Sequence, residues 1–173
     1  MGQFVGRRIA IQGFSLIELL TTMAVIGVLF GIAVPNFSSF IESSRARADI
    51  QSLSQSFVTA KSEAVARSAV VIVSATGGNW KNGWRSWVDL DADGNLDDGE
   101  VLSTVKALKS GAALTVSRSG SGVSTFSFDA NGFLVGTLPV SISYRTSPEY
   151  CARDRDVQIS ASGQMRIVER DCS

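Results

Sequence analysis

The richest set of metal-ligand side chains in this 173-residue sequence is an acidic segment, DLDADGNLDDGE, that runs from Asp89 to Glu100. Its spacing follows D-x-D-x-D-G-x5-E, in which carboxylates at alternate positions converge on one cation and a glycine permits the sharp turn. The pattern predicts a calcium site with ligands at five positions: Asp89, Asp91, Asp93, Asn95 and Glu100. The alternative is a solvated hairpin turn without metal, because strand-like residues flank the segment whereas an EF-hand loop lies between helices.

Cys151 and Cys172 are the only cysteines of the sequence. They lack C-x-x-C spacing and the sequence has no histidine, so a redox motif or a zinc site is disfavoured. We expect a structural disulfide between them, formed in an oxidising compartment. Closing a loop of this length stabilises a fold by about 3 kcal/mol in the chain-entropy model.

Side chains for catalysis are scarce in this sequence. The absence of histidine excludes Ser-His-Asp and Cys-His sites, and no other pair of nucleophile and base stands out. The sequence therefore predicts that the protein is not an enzyme. The 16 Lys and Arg residues balance 16 Asp and Glu residues, so the net charge of zero provides no general attraction to nucleic acid.

An apolar segment over residues 14–41 contains Glu18 as its only charged residue. The segment is long enough to cross a bilayer as a helix, which needs about 20 apolar residues. Arg7 and Arg8 precede it, so the positive-inside rule keeps the N-terminus in the cytoplasm and places the rest outside. A carboxylate in a span costs about 3 kcal/mol on insertion scales. Glu18 therefore lies at the membrane interface or pairs with a cation of another chain.

A basic leader is followed by the string GFSLIEL, residues 13–19, which resembles the cleavage and assembly signal of type IV prepilins and type II secretion pseudopilins. The resemblance implies that a prepilin peptidase cuts between Gly13 and Phe14 and that the new Phe14 amine is N-methylated. It also implies that Glu18 pairs with the N-terminal amine of a neighbouring subunit during assembly. The expected organisation is a leader over 1–13, a transmembrane or filament-core helix over 14–37, and a periplasmic domain over 38–173.

The elements that position these residues follow from hydrophobic periodicity. Apolar residues at three- and four-residue steps predict one helix from about Phe14 to Arg67, and the β-branched run Val70 to Val73 predicts a first strand. Turn residues then separate further strands at 84–90, 101–107, 112–118, 123–128, 133–137, 140–145, 156–160 and 164–169. The fold class is α+β, with a long N-terminal helix packed on a C-terminal antiparallel sheet. Three tryptophans are expected in the core or on the sheet: Trp80, Trp84 and Trp87.

The stretch AKSEAVARSAVVIV, residues 60–73, and the acidic hairpin that ends in Glu100-Val101-Leu102 resemble the GspH/FimT family of minor pilins and pseudopilins. The resemblance implies a type IV minor pilin of the FimU/FimT type that primes pilus assembly at or near the filament tip, in twitching motility or adhesion. The implied partners are other major and minor pilins, the prepilin peptidase and the inner membrane, before the subunit joins the filament at the cell surface. A GspH-type pseudopilin of type II secretion is the alternative, because the signal and the fold are shared.

A second alternative is a DNA-binding minor pilin for natural transformation. Some FimT-like pilins bind DNA through arginines near the C-terminus, which makes Arg153, Arg155 and Arg166 the candidate contacts here. The associated Gly-Arg-x-Arg motif is incomplete, because glutamine and not arginine follows Gly163. From Arg145 onwards five arginines alternate with five acids, which cancels the attraction to phosphates. DNA is therefore not an expected partner.

Overall fold

The first element of the structure is a long helix. The computed structural model describes residues 14–108 and 110–172, and of residues 32–36 it describes the backbone alone. Helix α1, Leu16–Arg67, begins slightly later than the sequence predicts and ends at the predicted residue. It stops where Ser68 adopts a left-handed backbone conformation with φ 52°.

The chain divides into two compact units, with the boundary between Ile41 and Glu42. In the first unit every side chain that the structure describes is exposed, apart from the half-buried Ile41. Over the residues described, no helix combines the length and the apolar character that crossing a membrane requires. The predicted leader over 1–13, including Gly13, lies outside the described residues.

The strands that follow α1 lie close to most of the segments that alternating apolar and polar residues predict. In chain order they are β1 Val71–Ala75, β2 Gly83–Trp87, β3 Val101–Lys106, β4 Ala113–Arg118, β5 Ser121–Gly122, β6 Thr125–Phe128, β7 Val140–Arg145, β8 Arg155–Ile159 and β9 Met165–Glu169. Strand β7 occupies the predicted residues because its alternation is regular: Val140, Ile142 and Tyr144 are buried.

The strands form two antiparallel sheets, where the sequence led us to expect one. Sheet 1 has the order β3-β2-β1-β6, and sheet 2 has the order β5-β4-β7-β8-β9. The division arises because β4 pairs with β7 and not with the outer strand β3, while β6 returns to pair with β1 in the register Val71 to Phe128. The part of α1 in the second unit shares one hydrophobic core with both sheets, which confirms the α+β fold class.

The strand predicted at 133–137 is wrong. Leu134 makes an isolated bridge there, and neighbouring N–H groups donate to different elements. The Leu134 N–H donates to the Ala161 carbonyl and the Val135 N–H to the Ser127 carbonyl, both at 2.9 Å. Only this single bridge forms, and the left-handed backbone of Gly136, with φ 94°, interrupts the extended conformation inside the predicted range.

The core of the second unit is centred on aromatic rings. Phe57 of α1 lies with its ring centroid 5.7 Å from that of Trp84 and 5.3 Å from that of Phe126. Each buried tryptophan donates its indole N–H to an acceptor: Trp80 to the Val123 carbonyl (2.7 Å), Trp84 to Ser56 Oγ (3.0 Å) and Trp87 to Ser74 Oγ (3.0 Å). Their predicted role in packing is confirmed.

All buried side chains among the described residues belong to the second unit. The helix contributes one face of six residues: Ala46, Ile50, Leu53, Phe57, Ala60 and Ala64. The second unit thus has a hydrophobic core of its own, which does not depend on the first unit for its packing.

Candidate functional site

The acidic segment is the connection between β2 and β3, which pair as antiparallel neighbours. Gly83 begins β2 with a left-handed φ of 91°, and a Cβ there would lie 2.1 Å from the Val105 carbonyl oxygen. Glycine is required for so close an approach of two strands. At the loop end of the hairpin, the Val88 N–H donates to the Glu100 carbonyl at 3.1 Å. The sheet therefore holds both ends of the acidic loop, residues 89–100.

Three carboxylates of the acidic loop face one another. Asp89, Asp91 and Asp93 each offer an oxygen, and these oxygens lie within 4.8 Å of one another. The Gly94 N–H donates to Asp89 Oδ2 at 3.0 Å, and the Asp93 N–H donates to Asp91 Oδ1 at 3.2 Å. Asp89 Oδ1 is buried and accepts no hydrogen bond from the described residues. A divalent cation at this point would offset the repulsion among the three carboxylates.

Glu100 and Asn95, the other two predicted ligands, do not join this cluster. Glu100 is buried, and its carboxylate accepts the backbone N–H groups of Leu90 (2.7 Å) and Asp97 (3.0 Å). The Asn95 side-chain amide donates to the Asp93 carboxylate at 2.9 Å. The structure brings together three of the five predicted positions, and Glu100 shapes the loop by satisfying its backbone donors.

The crowding of carboxylates affects how the loop titrates. The pKa of Asp97 is raised, first by the negative charge of Asp93 and then by partial desolvation and the charges of Asp91 and the other acids of the loop. The pKa of Asp93 is lowered, because the side-chain amide and the backbone N–H of Asn95 donate to its carboxylate. The loop at neutral pH is a concentrated negative surface.

A fully buried carboxylate, Asp154, lies at the centre of a second polar cluster. It accepts the Thr146 N–H at 2.8 Å, the Thr146 hydroxyl at 3.1 Å and an Arg170 N–H at 2.7 Å. Burial alone would raise the pKa of Asp154, but the Thr146 donors, Arg170 and the charge of Arg145 outweigh burial and lower it. Arg170 also pairs with the exposed Glu149.

Next to this cluster, Cys151 and Cys172 form a disulfide. The bond and the Asp154–Arg170 pair together fasten residues 170–172 to the connection between β7 and β8. Sequence reasoning found the disulfide but missed Asp154, because its partners lie 8 and 16 residues away and follow no local pattern.

Another polar group that sequence reasoning missed joins α1 to sheet 2. The Tyr144 hydroxyl, inside the core, donates to Asp49 Oδ2 of α1 at 3.0 Å, and the Ser110 hydroxyl donates to the same oxygen. Burial, supported by the negative charge of Asp49, raises the pKa of Tyr144 to about 12. The tyrosine therefore stays a neutral donor under all physiological conditions and fixes the helix against the sheet.

The three candidate DNA contacts are spread over different environments. Arg153 pairs with Glu42, and Arg155 pairs with Glu169 at 3.1 Å. Arg166 lies opposite Gln158 across the β8–β9 pair, and no ion pair of its side chain occurs within the described part of the chain. Two of the three guanidinium groups are thus engaged with carboxylates, and they form no continuous basic surface for a phosphate backbone.

The predicted assembly residues lie at the start of the described chain. Phe14 is 85% exposed, and Glu18 lies in the first turn of α1, where the helix dipole favours a carboxylate. No side chain in the described ranges makes an ion pair with Glu18. Gly13 is outside the described residues.

Comparison with solved structures supports the pilin-like fold. The crystal structure of the type IV minor pilin FimU of Pseudomonas aeruginosa PAO1 superposes with a TM-score of 0.60 at 22% identity, over 75% of this chain and 92% of that one. The minor pseudopilin EpsH from the Type 2 Secretion System of Vibrio cholerae matches with a TM-score of 0.53 at 16% identity, over 72% of this chain and 97% of that one. No curated protein sequence matches this chain.

Two sequence families match the chain at different positions. The prokaryotic N-terminal methylation motif matches residues 9–34, and the family described as Type II transport protein GspH matches residues 49–163. The second match covers more than half of the chain, including the hairpin with the acidic loop and β1 to β8. With this match and the shared fold, the chain belongs to the GspH family of minor pilins and pseudopilins.

Proposed function

We propose that this chain is a minor pilin of a type IV pilus that primes assembly and lies at or near the filament tip, in twitching motility or adhesion. The observation that supports the proposal is the match to the N-terminal methylation motif over 9–34, a segment that includes the exposed apolar side chains at the start of α1. An apolar surface of this extent requires a cover of lipid or of other subunits.

In the proposed mechanism, prepilin peptidase removes residues 1–13 and the new Phe14 amine is methylated. Residues 14–37 anchor the subunit in the inner membrane, with the second unit in the periplasm. During assembly the Glu18 carboxylate pairs with the N-terminal amine of a neighbouring subunit. This pairing compensates a charge that is costly to bury alone and sets the register of one subunit against the next.

The test is the replacement Glu18→Ala in the bacterium that encodes the chain. We expect loss of surface pili and of twitching, while the variant still accumulates in the membrane. Glu63→Ala is the matched control, because Glu63 lies on the same helix in an exposed pair with Arg67. Normal piliation in the Glu18→Ala strain contradicts the proposed role.

The alternative is a GspH-type pseudopilin, and it is supported by the similarity to EpsH. Deletion of the gene separates the two functions. Loss of pili with normal export of secreted proteins supports the pilus, and the reverse result supports type II secretion. A role in DNA uptake has less support, because Arg153 and Arg155 are engaged with Glu42 and Glu169.

We also propose that the acidic loop binds calcium through Asp89, Asp91 and Asp93. The close approach of the three carboxylates and the buried Asp89 Oδ1 without a donor among the described residues support this proposal. Calorimetric titration of the protein with calcium is the test. Asp91→Asn should abolish the binding heat, and Asp98→Asn, an exposed acid outside the cluster, should retain it. Equal heats for the two variants, or none at millimolar calcium for the parent protein, contradict the proposal.

A further inference from the structure

A groove with an apolar floor runs between α1 and β9 in the second unit. Two adjacent hollows of about 360 and 760 Å³ form it, and both are lined by Val58. Lys61 lines the larger hollow, where its ammonium group donates to the Gly163 carbonyl at 3.0 Å and ties α1 to the β8–β9 turn. We call this surface the α1–β9 groove.

The floor of the α1–β9 groove consists of apolar side chains that the core leaves uncovered. Val58 is 44% exposed and Ile167 of β9 is 51% exposed, with the exposed Val65 and the partly buried Met165 further along. Strand β9 is the last of sheet 2 and pairs with β8. An edge strand beside a helix with exposed valines can bury a segment of another chain.

The walls of the groove are basic. Arg47, Arg153 and Arg155 line it, and no carboxylate does so within the described part of the chain. Arg153 and Arg155 already pair with Glu42 and Glu169, whereas Arg47 makes no ion pair with any described residue. Of the basic residues that line the groove, Arg47 and Lys61 make no ion pair within the described residues, so a segment with apolar side chains and negative charge complements it.

The acidic loop has this composition. Four of its acids are exposed, and no basic residue lies among residues 89–100. Leu90, at the start of the loop, is 73% exposed and available for contact with another chain. The loop thus offers one apolar anchor within a ring of carboxylates.

The two complementary surfaces border different sheets of one molecule. The loop leads into β3, the outer strand of sheet 1, and the groove borders β9, the outer strand of sheet 2. Because no residue of the loop lines the groove, one copy can present its loop to a neighbour and receive another neighbour's loop at the same time. Such a head-to-tail contact is heterologous and adds subunits in a row.

We propose that the acidic loop of one copy docks in the α1–β9 groove of a second copy, with Leu90 against Val58 and Ile167 and the loop carboxylates near Arg47. This inference rests on the proposed role as a filament subunit. It identifies the surface through which residues 42–173 of one copy contact the same unit of another copy. The contact is separate from the Glu18 pairing, because the groove and the loop both belong to the second unit.

The test uses a fragment of residues 38–173, which retains every buried described residue and lacks Phe14 and Glu18. Sedimentation in EDTA at low salt should show association that increases with concentration and weakens in high salt. Val58→Asp in the groove and Leu90→Ser in the loop should each weaken it at least about tenfold. Val70→Asp is the matched control, since Val70 has a similar exposed fraction outside the groove.

A mixture of the two variants separates this proposal from other modes of association. The intact loop of Val58→Asp should dock in the intact groove of Leu90→Ser and produce a dimer that does not extend. If the parent fragment stays monomeric at millimolar concentration, a second copy of the chain does not occupy the groove. Association that Val58→Asp leaves unchanged, or a mixture that stays monomeric, overturns the proposed surface.

None of these results bears on piliation of the Glu18→Ala strain, so failure of the groove and failure of the assembly function are distinguishable.

Discussion

Asp154 has no exposed surface, yet it carries a charge that three donors from Thr146 and Arg170 stabilise. Asp154→Ala leaves these donors without an acceptor, and we expect it to lower the free energy of unfolding by about 3 kcal/mol. Glu149→Ala is the matched control, because it removes the exposed partner of the same arginine and should cost less than about 1 kcal/mol. Urea unfolding of residues 38–173 measures both, and equal losses would contradict the assigned role.

The pH dependence of Asp154 follows from the direction of its shift. Its pKa is lower in the folded protein than in the unfolded chain, so its stabilising effect is complete above the unfolded value of about 4. The effect is lost as the pH falls through the lowered folded pKa. The stability difference between the parent fragment and Asp154→Ala should therefore persist at pH 6 and shrink in strong acid.

Asp97 titrates in the opposite sense, because Asp93 and other acids of the loop raise its pKa. At neutral pH its charge repels these neighbours, so Asp97→Asn should raise the melting temperature in EDTA. The advantage should disappear as the pH falls through the raised pKa, since the parent carboxyl then becomes neutral too. Thermal melts of Asp97→Asn at neutral and acidic pH measure this, and a lower melting temperature at neutral pH would refute the repulsion.

At the scale of elements, neighbouring residues of α1 have opposite roles. Phe57 is buried against Trp84 and Phe126, whereas Val58 is exposed in the α1–β9 groove. Phe57→Ala should destabilise the second unit by about 4 kcal/mol through the cavity that it leaves. Val58→Ala should change stability by less than about 0.5 kcal/mol. Denaturant unfolding of both variants compares them, and similar losses would mean that α1 packs by a different face.

The sequence predicts the local elements well and their pairing poorly. Strand β7 matches its predicted bounds because Val140 to Tyr144 alternate regularly, and the end of α1 agrees with the β-branched run that begins at Val70. The pairing of β1 with β6 depends on contacts between Val71 and Phe128, distant in sequence, and no local pattern encodes it. The same holds for the candidate site. The spacing predicted that Asp89, Asp91 and Asp93 converge, but not that backbone N–H groups of the loop would donate to the Glu100 carboxylate.

At the scale of the whole molecule, the two proposals for the acidic loop use the same carboxylates. A calcium ion bound as proposed would neutralise the charge that Arg47 of the α1–β9 groove attracts, and it would draw Asp91 and Asp93 toward itself. Calcium should therefore weaken the association of the 38–173 fragment, and by linkage the docked loop should bind calcium less tightly.

The measurement is sedimentation in EDTA and in millimolar calcium, with magnesium at equal ionic strength as the control for screening. Asp91→Asn should still associate in EDTA but lose its response to calcium. Association unchanged by calcium, in a parent fragment that binds the ion by calorimetry, would mean that the docked surface does not include these carboxylates.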